Sequence, residues 1–252
     1  MTTGVLMYCF DTEYVDYHRS ANYGIQLIKK KLGLPVTVIT DATTKDKIVN
    51  ADNIIEIQPR KGNVRLYKTD LMPWQNMDRS SAFDLSPYDN TILLDCDYFV
   101  YTDNLLQLTN TVYDFLLYDQ AHDISSSEDL TFKSESTIPM VWATVVIFKK
   151  KESVKRIFDM IKYVQNYYKY FYNLYRVEHR NFRNDYAFAI ALNQLCIDNK
   201  NYRIPGKIAT LALNSKVVDV LDNGIVYKYN NSINMIKDQD VHVLDKELNN
   251  HV

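Results

Sequence analysis

Apolar residues follow two rhythms along the chain. Short apolar runs at positions 5–10, 36–40, 54–57, 91–94, 140–148 and 225–229 have the length and the β-branched or aromatic content of buried strands. Between the first two runs the spacing lengthens to three and four residues. Ile25, Ile28 and Leu32 share one face of a helix that starts near Ser20; Gly33 is placed to cap it, and Pro35 precedes the next strand. This is a βαβ unit, and with the later strands and helices it predicts an α/β domain with a largely parallel sheet. Over 152–175 the apolar positions Val154, Ile157, Phe158, Ile161, Val164, Tyr168, Phe171 and Tyr175 predict one long amphipathic helix. Another is expected from Asn184, a good N-cap, with Phe188, Leu192 and Leu195 turned inward. Residues 119–136, with Ser125 to Ser127 and few large apolar side chains, read as a mobile loop. No repeat, low-complexity linker or domain boundary breaks the 252 residues, so one domain is expected.

Composition narrows the classes. The longest apolar run, 141–148, is far short of the roughly 18 residues that span a bilayer, so no membrane partner is expected. The N-terminus runs from Met1 almost directly into the first strand without a basic leader or cleavage site, which predicts a protein that is not secreted. Cys9, Cys96 and Cys196 are odd in number and never form a C-x-x-C, so they suit neither a disulfide framework nor a zinc site. A reducing, cytoplasmic setting is the expectation. A net charge of −2 gives no global basic field for nucleic acid, although Lys29 to Lys31 and Lys149 to Lys151 form local clusters. With only six glycines there is no G-x-G-x-x-G and no P-loop, so any nucleotide is held without a glycine loop.

The most specific chemical signal is the run 91–101, a strand that ends in Asp95 and Asp97 with Cys96 between them. Two carboxylates this close in a partly desolvated site raise each other's pKa unless a cation neutralises them, which suits Mg²⁺ or Mn²⁺ and, through the cation, a pyrophosphate. A plain strand-ending turn would use the same residue types. His242, in an alternating Val241, His242, Val243 strand, is also explained by packing; Asp185 is also explained by the helix dipole at the start of a helix. Trp142 fits a core as well as a pocket wall.

The Asp95, Cys96, Asp97 motif after its apolar strand resembles the D-x-D of GT-A glycosyltransferases. Segments 67–70, 74–79 and 85–88 are similar to the stretch before that motif in glycogenin-like and phage-encoded members. The resemblance implies a single GT-A (Rossmann-like) domain with a mostly parallel central sheet flanked by helices. Residues 1–97 would form the nucleotide-sugar-binding half, and 98–252 the acceptor half with a C-terminal metal and diphosphate segment. It implies Asp95, Asp97 and His242 as ligands of Mn²⁺ or Mg²⁺, and a nucleoside-diphosphate sugar as co-substrate. Phe10, Asp11, Thr12 and Tyr17, with Asp41 as a weaker candidate, would hold nucleobase and ribose. Arg79, Asp95, Trp142 and Lys246 would complete the donor site, with Lys246 on the diphosphate, and Asp185 and Asp97 would serve catalysis. The glycogenin-type motif has a glycine between histidine and lysine; here Val243, Leu244 and Asp245 intervene.

If the long helix continues past 175, Arg176, Arg180 and Arg183 fall at i, i+4 and i+7, with His179 beside them and Tyr172, Tyr175 and Phe182 as stacking partners. Together with the phage-like resemblance this points to a hydroxymethylated base in DNA as acceptor, a protein or glycan hydroxyl being the alternative. Two further classes remain open. A haloacid-dehalogenase-type phosphatase would use Asp95 as nucleophile, although Tyr98 and Phe99 replace the expected Gly-Thr; a non-catalytic nucleotide-sugar-binding module would keep the pocket without turnover.

Overall fold

The first βαβ unit forms where its pattern puts it. In the computed structural model, which describes residues 1–67, 70–75, 77–130, 138–177 and 181–252, β1 (Thr3–Tyr8), α1 (Tyr17–Lys31), β2 (Val36–Thr40) and β3 (Asn53–Glu56) follow in order. Gly33 takes φ 64 beyond the end of α1 and its N–H donates to the Ile28 carbonyl at 3.2 Å, a left-handed helix stop that favours glycine. The hairpin β4 (Val64–Tyr67) and β5 (Asp70–Pro73) comes next, then α2 (Ala82–Leu85), β6 (Asn90–Asp95), β7 (Tyr98–Phe99) and α3 (Asn104–Thr109). After them run β8 (Phe115–Tyr118), β9 (Ala121–Asp123), β10 (Glu128–Leu130), β11 (Trp142–Lys149), α4 (Glu152–Asn166), α5 (Tyr168–Leu174) and α6 (Asn184–Gln194). The last strands are β12 (Ile208–Leu211), β13 (Lys216–Leu221), β14 (Gly224–Tyr229), β15 (Ser232–Lys237) and β16 (Val241–Val243).

The central sheet has the order β3-β2-β1-β6-β11-β8. Its first four strands are parallel, whereas β11 runs antiparallel to both β6 and β8. The expectation of one mostly parallel sheet is therefore corrected to a mixed one. Beside it stand a second sheet, β10-β9-β12-β16-β7, and an antiparallel sheet, β13-β14-β15, which takes up the apolar run near 225. An apolar run encodes burial, not strand direction, and the sequence pattern alone could not separate these cases.

Both faces of the central sheet are covered. Leu6, Tyr8 and Leu93 point to one side, into a core with Phe148, Phe158 and Phe188. Val5, Met7, Ile92 and Leu94 point to the other, against Ile25 and Ile28 of α1. Each such fully buried side chain contributes about 1.5–3 kcal/mol relative to exposure. Helix α6 is buried nearly all round, from Tyr186 to Leu192. Its N-cap is Arg183; Asn184, expected as the cap, is instead its first helical residue and is buried.

Two further expectations are revised. The helix predicted over 152–175 breaks at Tyr167 (φ −114, ψ 30), restarts as α5 and stops at Leu174. The tyrosine-rich sequence there has modest helix propensity, and α5 packs Tyr168 edge-on against Phe182 at 5.2 Å. The stretch read as a mobile loop is ordered as far as Leu130: β9 and β10 form a hairpin, with Ser125 and Ser126 bonded to Asp123. Positions 131–137 lie outside the described residues. Among the described residues no helix is long and apolar enough to cross a membrane.

Strand β1 has β2 on one side and β6 on the other. The chain thus leaves β1 toward β2 and β3 and later returns to its opposite flank. Such a reversal opens a crevice at the carboxyl ends of the two central strands, where open α/β sheets bind ligands.

Candidate functional site

Asp95 ends β6 at that crevice, directly opposite Tyr8 of β1. Cys96 turns the chain, Asp97 follows, and β7 then pairs with β16 so that Tyr98 faces His242. His242 is held from the other side as well, by Thr210 of β12, and the Val243 N–H donates to the Asp97 carbonyl at 2.9 Å. As a result one ligand atom each from Asp95, Asp97 and His242 lies within 4.8 Å of the others. Two carboxylate oxygens and an imidazole nitrogen at this separation fit one divalent cation of the Mg²⁺ or Mn²⁺ type, and the nitrogen favours Mn²⁺. Nδ1 of His242 is buried and has no hydrogen-bond partner among the described residues, so this imidazole lacks the outer anchor that ligating histidines commonly have.

Positive groups balance the two carboxylates. The side chain of Asp97 is 12% exposed; its Oδ1 lies 3.3 Å from His242 Nε2, and its Oδ2 accepts from the Lys246 ammonium. Burial alone would raise this carboxyl, but the Lys246 and His242 charges outweigh burial and hold it well below the usual carboxylate range. Lys246 responds in the opposite sense: burial would lower its ammonium, and the Asp97 charge raises it above the ordinary lysine value. Asp95 differs from its neighbour. Burial raises its carboxyl, the Arg79 guanidinium opposes the rise, Asp97 adds to it, and the net shift is upward.

Arg79 comes from the 3-10 turn Asp78–Ser81 and is 1% exposed. Its Nη1 donates to Asp95 Oδ1 at 2.5 Å, while Nε and Nη2 are buried without a hydrogen-bond partner among the described residues. An uncompensated charge in such a place is costly, so the Asp95 pair is the interaction that keeps Arg79 inside. Asp185, in the first turn of α6, accepts from the Ala143 N–H at 2.9 Å and from Arg183 Nη2 at 3.2 Å. It stands close enough to Asp95 for its charge to push that carboxyl upward. Trp142 opens β11 half-buried, and Tyr17 opens α1 with the Lys246 ammonium 5.5 Å from its ring centroid.

A cleft of about 870 Å³ opens past the ends of β1, β2 and β3, with Asp11, Thr12, Asp41, Thr43, Lys47 and Gln58 on its walls. Asp95 and Asp97 lie outside those walls; the link between cleft and carboxylates is along the chain, from Tyr8 of β1, paired with Asp95, to Asp11 on the cleft wall. Asp11 accepts from the His18 N–H at 2.9 Å and from Lys47 at 2.8 Å, and lies 2.7 Å from His18 Nδ1. Thr12 Oγ1 accepts from the Val15 N–H, shaping the turn into α1. Asp41 accepts from Thr43 Oγ1 and the Thr44 N–H. Phe10 is 5% exposed and packs in the core beside Tyr8, with no ring face on the cleft wall.

Among the described residues, no helix carries both Arg176 and Arg183: α5 stops at Leu174, Arg176 takes φ 50, and Arg183 turns to Asp185 and the Tyr186 ring. His179 and Arg180 lie outside the described residues. The sequence pattern did not point to Lys47 on the cleft wall or to His18 bonded to Asp11. A signal for His18 was the short Asp11, Asp16, His18 spacing, which brings three ligand atoms within 4.8 Å; nothing local marked Lys47, whose ammonium lies on Asp11.

No protein-family model matches this sequence, and no curated protein matches it. Solved structures resemble it distantly. The glycosyltransferase GlyE of Streptococcus pneumoniae TIGR4 aligns with a TM-score of 0.44 and 13% identity over 81% of this chain and 45% of that one, so the chain spans less than half of GlyE. The galactosyltransferase LgtC, solved with donor and acceptor sugar analogs, aligns with a TM-score of 0.47 and 15% identity over 75% and 70% of the two chains. Mouse xyloside xylosyltransferase 1 aligns at 0.48 and 10% identity over 77% and 82%.

Proposed function

We propose that this chain is a metal-dependent glycosyltransferase that moves a sugar from a nucleoside diphosphate to a hydroxyl group. The observation that carries the reading is the convergence of Asp95, Asp97 and His242 at the strand-order reversal, beside a polar cleft. Asp95, Asp97 and His242 would hold the cation, which when bound supplies Lewis-acid stabilisation of the diphosphate charge that develops as the glycosidic bond breaks. Lys246, already at Asp97, provides a second positive charge for the same diphosphate. Arg79 orients Asp95 and keeps it from turning away from the cluster. Asp185, pinned by the Ala143 N–H, offers a fixed carboxylate toward the hydroxyls of a transferred sugar. The cleft beyond β1 to β3, with Asp11, Thr12 and Asp41, suits the base and ribose.

For the acceptor, a hydroxymethylated base in DNA stands beside protein and glycan hydroxyls, since α5 ends at Leu174, before Arg176. The test is nucleotide release from a panel of nucleotide sugars, with and without Mn²⁺, in the presence of hydroxymethylcytosine duplex, simple glycosides or peptides. Wild type is expected to release nucleotide only with metal. Asp97→Asn is expected to lose roughly 100-fold or more, because Lewis-acid stabilisation is worth several kcal/mol. Metal-independent turnover, or wild-type turnover by Asp97→Asn, would refute the reading.

A further inference from the structure

Asp97 is held by two positive or hydrogen-bonding partners at once. Its Oδ2 accepts from the Lys246 ammonium, and its Oδ1 faces His242 Nε2, itself one of the three converging ligand atoms. A divalent cation shared by Asp95, Asp97 and His242 therefore meets an ammonium already at the carboxylate it needs. Two positive charges at such a distance repel strongly in a site this buried. From this geometry we infer that Lys246 is an internal rival of the metal: the Lys246–Asp97 pair opens when a cation takes Asp97.

The inference rests on the metal-site reading above, and other features of the structure support it. Lys246 lies in the 3-10 turn Lys246–Asn250 and carries the charge on a flexible stem with 16% of its side chain exposed, and the inference requires only that this side chain rotate away from Asp97. The ring of Tyr17, 5.5 Å from the ammonium, offers a cation–π resting place close by. Arg79 is different, since its guanidinium is fully enclosed and fixed on Asp95. A displaced Lys246 would stay near the metal and meet the phosphate oxygens that arrive with it. Metal and diphosphate would then strengthen each other's binding through one side chain, and by linkage the effect is reciprocal.

The experiment measures binding of Mn²⁺ alone to the full chain, by loss of the free-ion electron paramagnetic resonance signal, for wild type, Lys246→Gln, Lys246→Arg and Asp97→Asn. Lys246→Gln is expected to bind Mn²⁺ about tenfold more tightly than wild type, equivalent to about 1.4 kcal/mol. Lys246→Arg, whose fork grips a carboxylate more firmly, is expected to bind Mn²⁺ more weakly than wild type. Adding inorganic pyrophosphate is expected to improve Mn²⁺ binding more in wild type than in Lys246→Gln. Equal or weaker Mn²⁺ binding by Lys246→Gln, with binding still abolished in Asp97→Asn, overturns the rivalry and leaves the metal site standing. No Mn²⁺ binding by wild type, or wild-type binding by Asp97→Asn, overturns both. Should Lys246→Gln fail to fold, Lys246→Arg decides: binding equal to or tighter than wild type overturns the inference, and weaker binding supports it.

Discussion

Replacing Arg79 with methionine tests the electrostatic frame of the site. The substitution keeps most of the side-chain volume, so little cavity forms, but it removes the positive charge that faces Asp95 Oδ1 at 2.5 Å. Removing one partner of a buried ion pair typically costs about 3–5 kcal/mol. Here the lower end applies, about 3 kcal/mol, because the Asp95 side chain keeps 20% of its exposure and can take up a proton. That escape sets the pH dependence. The Asp95 carboxyl is already raised, and without Arg79 it rises further. A carboxyl raised in the folded state adds to stability below its unfolded value, and this contribution is lost as pH rises through the folded value. The deficit of Arg79→Met relative to wild type should therefore be largest near about pH 8 and shrink toward about pH 5. Urea unfolding followed by circular dichroism gives the stabilities, and a double-mutant cycle with Asp95→Asn gives the coupling. A deficit that stays below about 1 kcal/mol, or one indifferent to both pH and Asp95→Asn, would refute the account of Arg79 as the partner of a buried carboxylate.

Asp185→Ala strips the acceptor from the Ala143 N–H and should cost about 1–2 kcal/mol in thermal or urea unfolding. In the antiparallel sheet, a Cβ at Gly224 would stand 1.9 Å from the Ile236 carbonyl oxygen, so Gly224→Ala should lower stability by about 2–3 kcal/mol, read from the denaturation midpoint. Gly33→Ala meets open space but must hold φ 64, and a loss of only about 1 kcal/mol is expected. Truncation before Val241 removes both His242 and Lys246 and the strand between β12 and β7, so calorimetry should show neither Mn²⁺ binding nor a wild-type unfolding transition.

The elements that the sequence made legible are those whose pattern has a local cause. Strand β2 and the turn at Gly33 follow from an apolar run and a helix stop, and α6 starts where Asn184 was read, although one residue earlier provides the cap. Asp95 and Asp97 stood out because two acids at the end of a buried strand are costly without a cation. What remained hidden depends on contacts between distant segments. The antiparallel course of β11 is a matter of strand pairing, which its apolar run does not encode. The break at Tyr167 was masked because Tyr168 and Phe171 keep the helical spacing across it. Phe10 suits a stacking ring in a turn, yet just past the end of β1 it packs into the core. Nothing local marks Arg79 as the partner of Asp95, since the pair is made between a 3-10 turn and the end of β6.

The cation cluster joins Asp97 to residues as far as 149 positions further along the chain. During synthesis the carboxylates emerge, and β1, β2 and β6 can pair, long before β16 exists. A ribosome-bound chain that stops short of His242 thus carries the acids without the imidazole or the lysine. On the proposed function such a chain would bind no metal, and the cluster would be complete only once β16 lies between β12 and β7. The order of synthesis would then separate the folding of the central sheet from the completion of the Asp95, Asp97 and His242 cluster.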